Sequence, residues 1–287
     1  MSNDTPRSTR FDVTLRFDAL TGMLARYDQL AVAISGGVDS TTLAAVANNV
    51  LGDQAMMIHA VSPAVPPDAT ARVQACALRY GWNLKVVDAG EFSDTDYRQN
   101  PVNRCYYCKS NLYQRIHEVW DGAVASGANL DDLGDYRPGL VAASEKQVVH
   151  PLIEAGIDKA TVRKIATRLG LETVADLPAQ PCLSSRIETG IAIDANDLMF
   201  VHKIESLLTE RLGAGDIRCR IGAAGVRIEV ADNLQRKNAA YWQKVCVEVT
   251  QLISDNGRLL AGFTDYERGS AFLTDVKQVH PSGSANE

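Results

Sequence analysis

The sequence predicts an α/β protein, a helix-covered parallel sheet followed by a smaller α/β unit. Three observations carry this. Short apolar runs at Leu30–Ile34, Ala55–Val61, Leu84–Val87 and Gly122–Ser126 alternate with helical patterns, the spacing that parallel strands with crossover helices require. The first run passes directly into a glycine turn, Ser35-Gly-Gly-Val-Asp-Ser40. From about residue 188 the pattern changes to strictly alternating strands beside amphipathic helices, which sets the expected boundary between a domain over 1–187 and one over 188–280.

The elements follow in order. Leu15, Leu20, Met23 and Leu24 lie within Phe11–Tyr27 and predict an amphipathic helix leading into the first strand. A helix through about Asn49 follows the glycine turn. Pro66 and Pro67 open another through Tyr80, since a first helical turn tolerates proline. A helix through Trp120 precedes the fourth strand. Asp158 and Gly170 bound the helix between them as N-cap and stop. Further on, Leu198, Val201, Ile204, Leu208 and Leu212 form one stripe over Asp197–Leu212. Ile217–Ile221 and Val226–Val230 alternate as strands around a turn at Ala223–Gly225. A helix over Ala239–Ile253 and a strand over Leu259–Thr264 complete this unit, and Pro281–Glu287 is expected to be a loose tail.

Composition narrows the function. The 287 residues are 46% hydrophobic and 22% charged, with a formal net charge of −6, which argues against a broadly basic nucleic-acid surface. No apolar run approaches a membrane span. The polar start, Met1–Arg10, lacks the apolar core of a signal peptide, so a cytoplasmic location is expected. Six cysteines in a chain this long point to thiol or metal chemistry in the cytosol rather than a disulfide scaffold.

In the glycine turn, Gly36 and Gly37 are expected to adopt angles a Cβ would forbid and to let a ligand approach the main chain. Ser40 and Thr41 stand at a helix start, where free amides and the dipole favour an anion. The spacing is shorter than a Walker loop and no lysine follows the second glycine. The string resembles the pyrophosphate loop of ATP pyrophosphatases, which cleave ATP to AMP and pyrophosphate. Ser62 and Gly127 fall with it at the carboxyl ends of strands, where ligands of open parallel sheets bind.

Three further stretches carry chemistry. Cys105 and Cys108, in Asn103-Arg-Cys-Tyr-Tyr-Cys-Lys109, have the gap that lets two sulfurs face one metal or one another. Unrelated thiols, a redox disulfide and a zinc knuckle all remain open. Asp131, Asp132 and Asp135 lie in a loop that suits either Mg²⁺ beside ATP phosphates or a plain surface turn. Cys182 follows Pro178 and Pro181, which keep it out of helix. Ser184, Ser185 and Arg186 behind it offer donors to an anion, and Arg186 would favour the Cys182 thiolate if close. On the later strands Arg218 and Arg220 share one face, with Arg227 and Glu229 expected outward. A shared substrate phosphate or pairing with Glu229 would each relieve the repulsion between the arginines.

Together the glycine turn, Asn-Arg-Cys-Tyr-Tyr-Cys-Lys, Leu-Gly-Asp-Tyr-Arg-Pro-Gly and Pro-Cys-Leu-Ser-Ser-Arg resemble, in that order and over about residues 10–275, the ATP-dependent sulfur insertase family of nickel-pincer nucleotide biosynthesis. The resemblance implies a Rossmann-like adenylating domain and a substrate-binding, oligomer-forming second domain, hexameric in the family. It implies that ATP and Mg²⁺ activate the carboxylates of pyridinium-3,5-biscarboxylic acid mononucleotide for conversion to thiocarboxylates. Ser35, Gly36, Gly37, Asp39, Ser40, Ser62, Gly127 and Asp132 would serve the nucleotide. Asp39, Cys182 and Arg186 would serve catalysis. Ser185, Arg186, Glu205, Arg218, Arg220 and Glu229 would hold substrate phosphate or metal. One branch of the family sacrifices a lone cysteine matching Cys182. The other carries a [4Fe-4S] cluster on three cysteines, and Cys105, Cys108 and Cys182 match it, three thiolates leaving one iron open. Cys76, Cys219 and Cys246 sit at apolar-pattern positions and are expected in cores. The resemblance also implies hand-off of product to a nickel-inserting enzyme. Rival readings are cluster-dependent tRNA thiolation, a glutamine-fed amide synthetase and an ATP-gated binding module.

Overall fold

A computed structural model describes residues 5–134, 137–178, 181–236 and 239–267. Asp135 and the expected tail at Pro281–Glu287 lie outside the described residues. The chain divides into two units, one comprising residues up to Ser184 together with Ala192–Met199, the other Ser185–Ile191 and the chain from Phe200 on.

The first unit is organised by a four-stranded parallel sheet in the order β3-β2-β1-β4, formed by Leu30–Ala33 (β1), Ala55–Val61 (β2), Asn83–Asp88 (β3) and Ala123–Ser126 (β4). Strand residues alternate between two cores. Leu30, Val32, Ala55 and Met57 point into one, and Ala31, Ile58, Val87 and Val124 into the other. Thr5–Leu24 (α1), Val38–Leu51 (α2), Pro67–Tyr80 (α3) and, further along, Lys159–Arg168 cover the first face. Between these in sequence come Thr95–Arg98 (α4), Arg104–Val119 (α5), Pro138–Glu145 (α6) and Pro151–Glu154 (α7), and Tyr113 and Ile116 of α5 with Ala143 of α6 fill the second core. Lys159–Arg168 is α8, followed by Glu172–Ala175 (α9). A sheet covered on both faces is what the near-continuous apolar strands require. This arrangement agrees with a Rossmann-like domain.

Helix α1 departs from expectation. Leu15 is 61% exposed, and Val13, Phe17, Leu20 and Leu24 are the residues turned to the core. Their spacing of four, three and four follows the helical period, which Leu15 breaks. Asp158 caps α8 as expected, its carboxylate accepting from the Thr161 N–H at 2.7 Å, and Gly170 closes the turn at φ +71°.

Ala195–Leu212 (α10) contributes to both units. The second unit holds a three-stranded sheet, β5-β6-β7, made of Ile217–Gly222, Gly225–Val230 and Leu260–Asp265, with Asp232–Arg236 (α11) and Ala239–Asp255 (α12). β5 and β6 form an antiparallel hairpin with Arg218 opposite Glu229 and Arg220 opposite Arg227, while β7 runs parallel to β6. Leu198, Val201, Ile204 and Leu208 are buried along α10, as the stripe predicts.

Candidate active site

The glycine turn leaves the carboxyl end of β1, the inner strand between β2 and β4. Gly36 has φ +79°, and a Cβ there would stand 2.8 Å from the Ala69 carbonyl oxygen of α3, so only glycine fits. Gly37 corrects the expectation. At φ −79° and ψ 161° it is ordinary extended backbone, and a Cβ would meet nothing nearer than Ser35 Oγ at 3.5 Å. Its remaining use is room for a ligand against the main chain. Gly37 is also the N-cap of α2 and no side chain caps it, which leaves first-turn amides for an anion. The Ser40 hydroxyl folds back into the turn, accepting from the Ser35 N–H at 3.1 Å and lying 3.3 Å from the Gly37 carbonyl oxygen. Buried His59 of β2 stands 2.8 Å from the Ile34 carbonyl oxygen through Nδ1 and 2.9 Å from Thr70 Oγ1 through Nε2. Arg72 Nε donates to the Gly36 carbonyl oxygen at 2.8 Å. Gly127 follows β4 so closely that a Cβ would be 2.6 Å from Ser40 N. Ser62 follows β2, its hydroxyl accepting from the Ala64 N–H at 3.2 Å.

Asp39 is not left bare. Lys159, the first residue of α8, pairs with Asp39 Oδ2, and Asn129 Nδ2 donates to Asp39 Oδ1 at 3.1 Å. Asp131 accepts from the Lys159 N–H at 3.2 Å. Asp132 takes the Asn129 N–H at 3.1 Å and pairs with Arg137 at 3.2 Å. Lys159 therefore brings to the turn, from 120 residues away, the cation that the six-residue string lacks. Nothing in the local sequence marks it beyond its place after an N-cap.

The three matching thiols belong to the same unit. Cys105 and Cys108 occupy the first turns of α5, and Cys182 precedes a single turn of 3-10 helix at Leu183–Arg186. The bonds that hold the Cys182 segment include one from the Leu183 N–H to the Ala64 carbonyl oxygen at 2.9 Å and one between the Ser184 and Tyr97 hydroxyls at 2.6 Å. Cys105 lies close enough to feel the charge of Cys182, and Cys108 that of both Cys182 and Cys105. Burial pushes Cys108 up to about 12, with Cys182, Glu91 and Cys105 adding to the shift and Lys109 opposing it. Burial also raises Cys105, followed by the charge of Cys182. For Lys109, burial pulls downward, but Tyr113 and the three thiols outweigh it and raise its pKa. Among the described residues no three His, Cys, Asp or Glu side chains are grouped to hold a single metal ion. Of the other cysteines, Cys76 and Cys219 are buried, while Cys246 is only half-buried.

In the second unit the expectation of an outward Glu229 is overturned. Glu229 is 2% exposed, with Arg220 Nε at 2.8 Å from one oxygen and Arg227 Nη2 at 3.1 Å from the other. Cross-strand pairing places it there, because a buried carboxylate between two guanidinium groups is compensated on both sides. Arg186 turns its fork to Glu205, at 3.0 and 2.9 Å, and its Nη1 donates to Ser185 Oγ at 3.0 Å. Glu205 also accepts from the Cys219 N–H at 2.9 Å. Arg218 lies over the Tyr266 ring and 3.7 Å from Asp216. Burial and the charge of Arg186 lower its pKa.

Fold and turn together define a Rossmann-like α/β protein with an anion-receptive main-chain turn at the carboxyl edge of its sheet. No family model matches the chain. It is 31% identical over 218 residues to the pyridinium-3,5-bisthiocarboxylic acid mononucleotide synthase of Lactiplantibacillus plantarum, covering 74% of this chain and 78% of that protein. An uncharacterized protein of Synechocystis sp. is 41% identical over 219 residues, 75% of this chain and 81% of its own. An uncharacterized protein of Methanocaldococcus jannaschii is 27% identical over 212 residues, 72% and 80% respectively. The chain belongs to the sulfur insertase family.

Proposed function

We propose that this chain is an ATP-dependent sulfur transferase acting on pyridinium-3,5-biscarboxylic acid mononucleotide. The synthase of L. plantarum is named for the corresponding bisthiocarboxylic acid. The observation that carries the reading is that the charge of Cys182 reaches both Cys105 and Cys108, in the unit that also contains the glycine turn. A substrate carboxylate oxygen attacks the α-phosphorus of ATP, the bond to the bridging oxygen breaks, and pyrophosphate leaves. The amides of Ser35–Ser40 and the ammonium of Lys159 hold the departing charge. Sulfur then attacks the acyl carbon and AMP leaves with the bonding pair. Arg186 and Arg218, both buried, and the half-buried Arg220 of the second unit are the cations for the mononucleotide phosphate.

The donor sets fit the implied groups in kind. Asp39, Asp131 and Asp132 offer hard oxygens, and Mg²⁺ needs only one or two protein carboxylates when phosphates complete its shell. In a cubane each thiolate meets a different iron, so three thiols need not converge on one ion to hold a cluster. Bound to Cys105, Cys108 and Cys182, a [4Fe-4S] cluster would pass on sulfide taken up from solution, so that no cysteine is consumed.

A second reading rests on the exposure of Cys182. Its thiolate attacks the acyl-adenylate, AMP leaves and a thioester forms. A base then removes the Cys182 α-proton and the Cβ–S bond breaks, giving thiocarboxylate and dehydroalanine. One experiment separates the two. Anaerobically purified protein is given ATP, Mg²⁺, sulfide and the biscarboxylate, and product and chain masses are measured before and after. Thiocarboxylate with unchanged chain mass supports the primary reading, and dehydroalanine at Cys182 supports the second. No thiocarboxylate from enzyme that carries its cluster sinks both.

A further inference from the structure

Among the described residues, the other buried arginines are matched to carboxylates. Arg186 has Glu205 and Arg218 has Asp216. Arg104 is the exception. It is 4% exposed, no carboxylate pairs with it among the described residues, and its Nε has no hydrogen-bond partner. Its Nη1 donates to Asn100 Oδ1 at 3.2 Å. A buried guanidinium held against a neutral amide keeps its full charge and its desolvation cost. Asn100 is fully buried at φ +55°, in a left-handed region that Asn and Asp both enter readily. An aspartate at this position would neutralise Arg104, yet the sequence has the amide. Arg104 also begins α5, a 16-residue helix whose N-cap, Asn103, makes no side-chain cap bond; the Arg104 and Tyr106 amides are taken by the Pro101 and Asn103 carbonyls, so it is the helix dipole that adds to the same positive region. Cys105 and Cys108 sit one and four positions further along, and Arg104 is close enough to act on the charge of Cys105.

We propose that the Arg104 guanidinium, held by Asn100 at the start of α5, binds a small inorganic anion, hydrosulfide, beside the thiols. The existence of the site rests on the buried, incompletely bonded guanidinium. The identity of its ligand rests on the sulfur-transfer reading above, because each thiocarboxylate consumes one sulfur and the site adjoins the thiols. Asn100 is then a positioning residue that holds the guanidinium without cancelling its charge.

The test is anaerobic equilibrium dialysis of reduced, iron-free, full-length protein against radiolabelled sodium hydrosulfide and, separately, inorganic phosphate. ATP and acceptor are omitted, so retention is measured independently of turnover. An enzyme that makes no thiocarboxylate can still retain hydrosulfide, and an active one can fail to retain it, which keeps the two readings separable. The wild type is expected to retain hydrosulfide, with Arg104→Gln and Asn100→Asp each binding at least about ten-fold more weakly. Asn100→Asp keeps the guanidinium and gives it an internal counter-charge, so it decides the matter if Arg104→Gln does not fold. Equal retention by wild type and Asn100→Asp overturns the proposal. So does preferential retention of phosphate, or no retention of hydrosulfide by the wild type.

Discussion

The glycine turn and the arginine-bearing hairpin are two charged regions of this protein, and they are built on opposite plans. At Ser35–Ser40 the positive region is main chain, namely the uncapped start of α2. On β5 and β6 it is side chain, with arginines matched to Glu205 and Glu229. A main-chain site needs particular backbone angles and close approaches, so glycines determine it. A side-chain site needs compensation, so removing one partner leaves a buried charge. Substitutions should therefore fail differently in the two places, in stability at the hairpin and in ligand binding at the turn.

The largest expected effect is Glu229→Gln. It leaves Arg220 and Arg227 facing a neutral amide, and breaking a buried pair in this way costs about 3–5 kcal/mol. Denaturant unfolding should show a midpoint far below wild type. A midpoint within error of wild type would mean the hairpin charges are compensated elsewhere, and the contrast between the plans would fail.

Gly127→Ala comes next. Its Cβ would press on Ser40 N at 2.6 Å, backbone against backbone, for about 1–3 kcal/mol of overpacking and a displaced turn. Nucleotide affinity, measured by calorimetry, is expected to fall more than about ten-fold. Gly37→Ala sharpens the comparison, because its Cβ has space in the free protein. Stability should move by no more than about 1 kcal/mol, while nucleotide binding falls as steeply as in Gly127→Ala. Normal nucleotide binding by Gly37→Ala would show that the ligand does not lie against that main chain.

Lys159→Met tests the cation that sequence inspection missed. Its pair with Asp39 is partly solvated, so stability should change by less than about 1 kcal/mol. ATP–pyrophosphate exchange should slow by about 10²-fold, as for loss of one donor to developing charge. Exchange at the wild-type rate would remove Lys159 from the site.

What was legible follows from the same contrast. The turn could be seen because its determinants are contiguous, and strands such as Ala55–Val61 because each is a continuous apolar run between two helical layers. Glu229 was misplaced because strand alternation assigns a residue to a face without saying whether that face meets solvent. Arg227 and Glu229 share a face, yet one is exposed and the other buried. Leu15 was misassigned because one apolar residue beside a true stripe is enough to shift the apparent face. Lys159 and Arg104 could not be found at all, since the first acts across 120 residues and the second is notable only for the carboxylate it does not have. Gly127 was selected for its place after a strand, but its need to be glycine comes from Ser40.

The smallest effect belongs to His59, which joins the stem of the turn to α3. Burial lowers its pKa below the ordinary 6.5, with the Ile34 carbonyl opposing the shift. The carbonyl can only accept, so Nδ1 carries the proton and Nε2 accepts from Thr70 Oγ1. The folded state thus binds this proton less readily than the unfolded chain. Below about pH 6.5 the unfolded state takes up the proton first, so His59 favours folding fully above that value and progressively less as pH falls toward its folded pKa. His150 is also lowered by burial and contributes to the same slope, so the informative quantity is a difference. His59→Gln should flatten, without abolishing, the decline in melting temperature between about pH 7 and 5. Because the ring binds the Ile34 carbonyl, the variant should also weaken nucleotide binding at pH 7, and much less than Gly127→Ala does. A pH slope identical to wild type would mean that His59 is not held neutral beneath the turn.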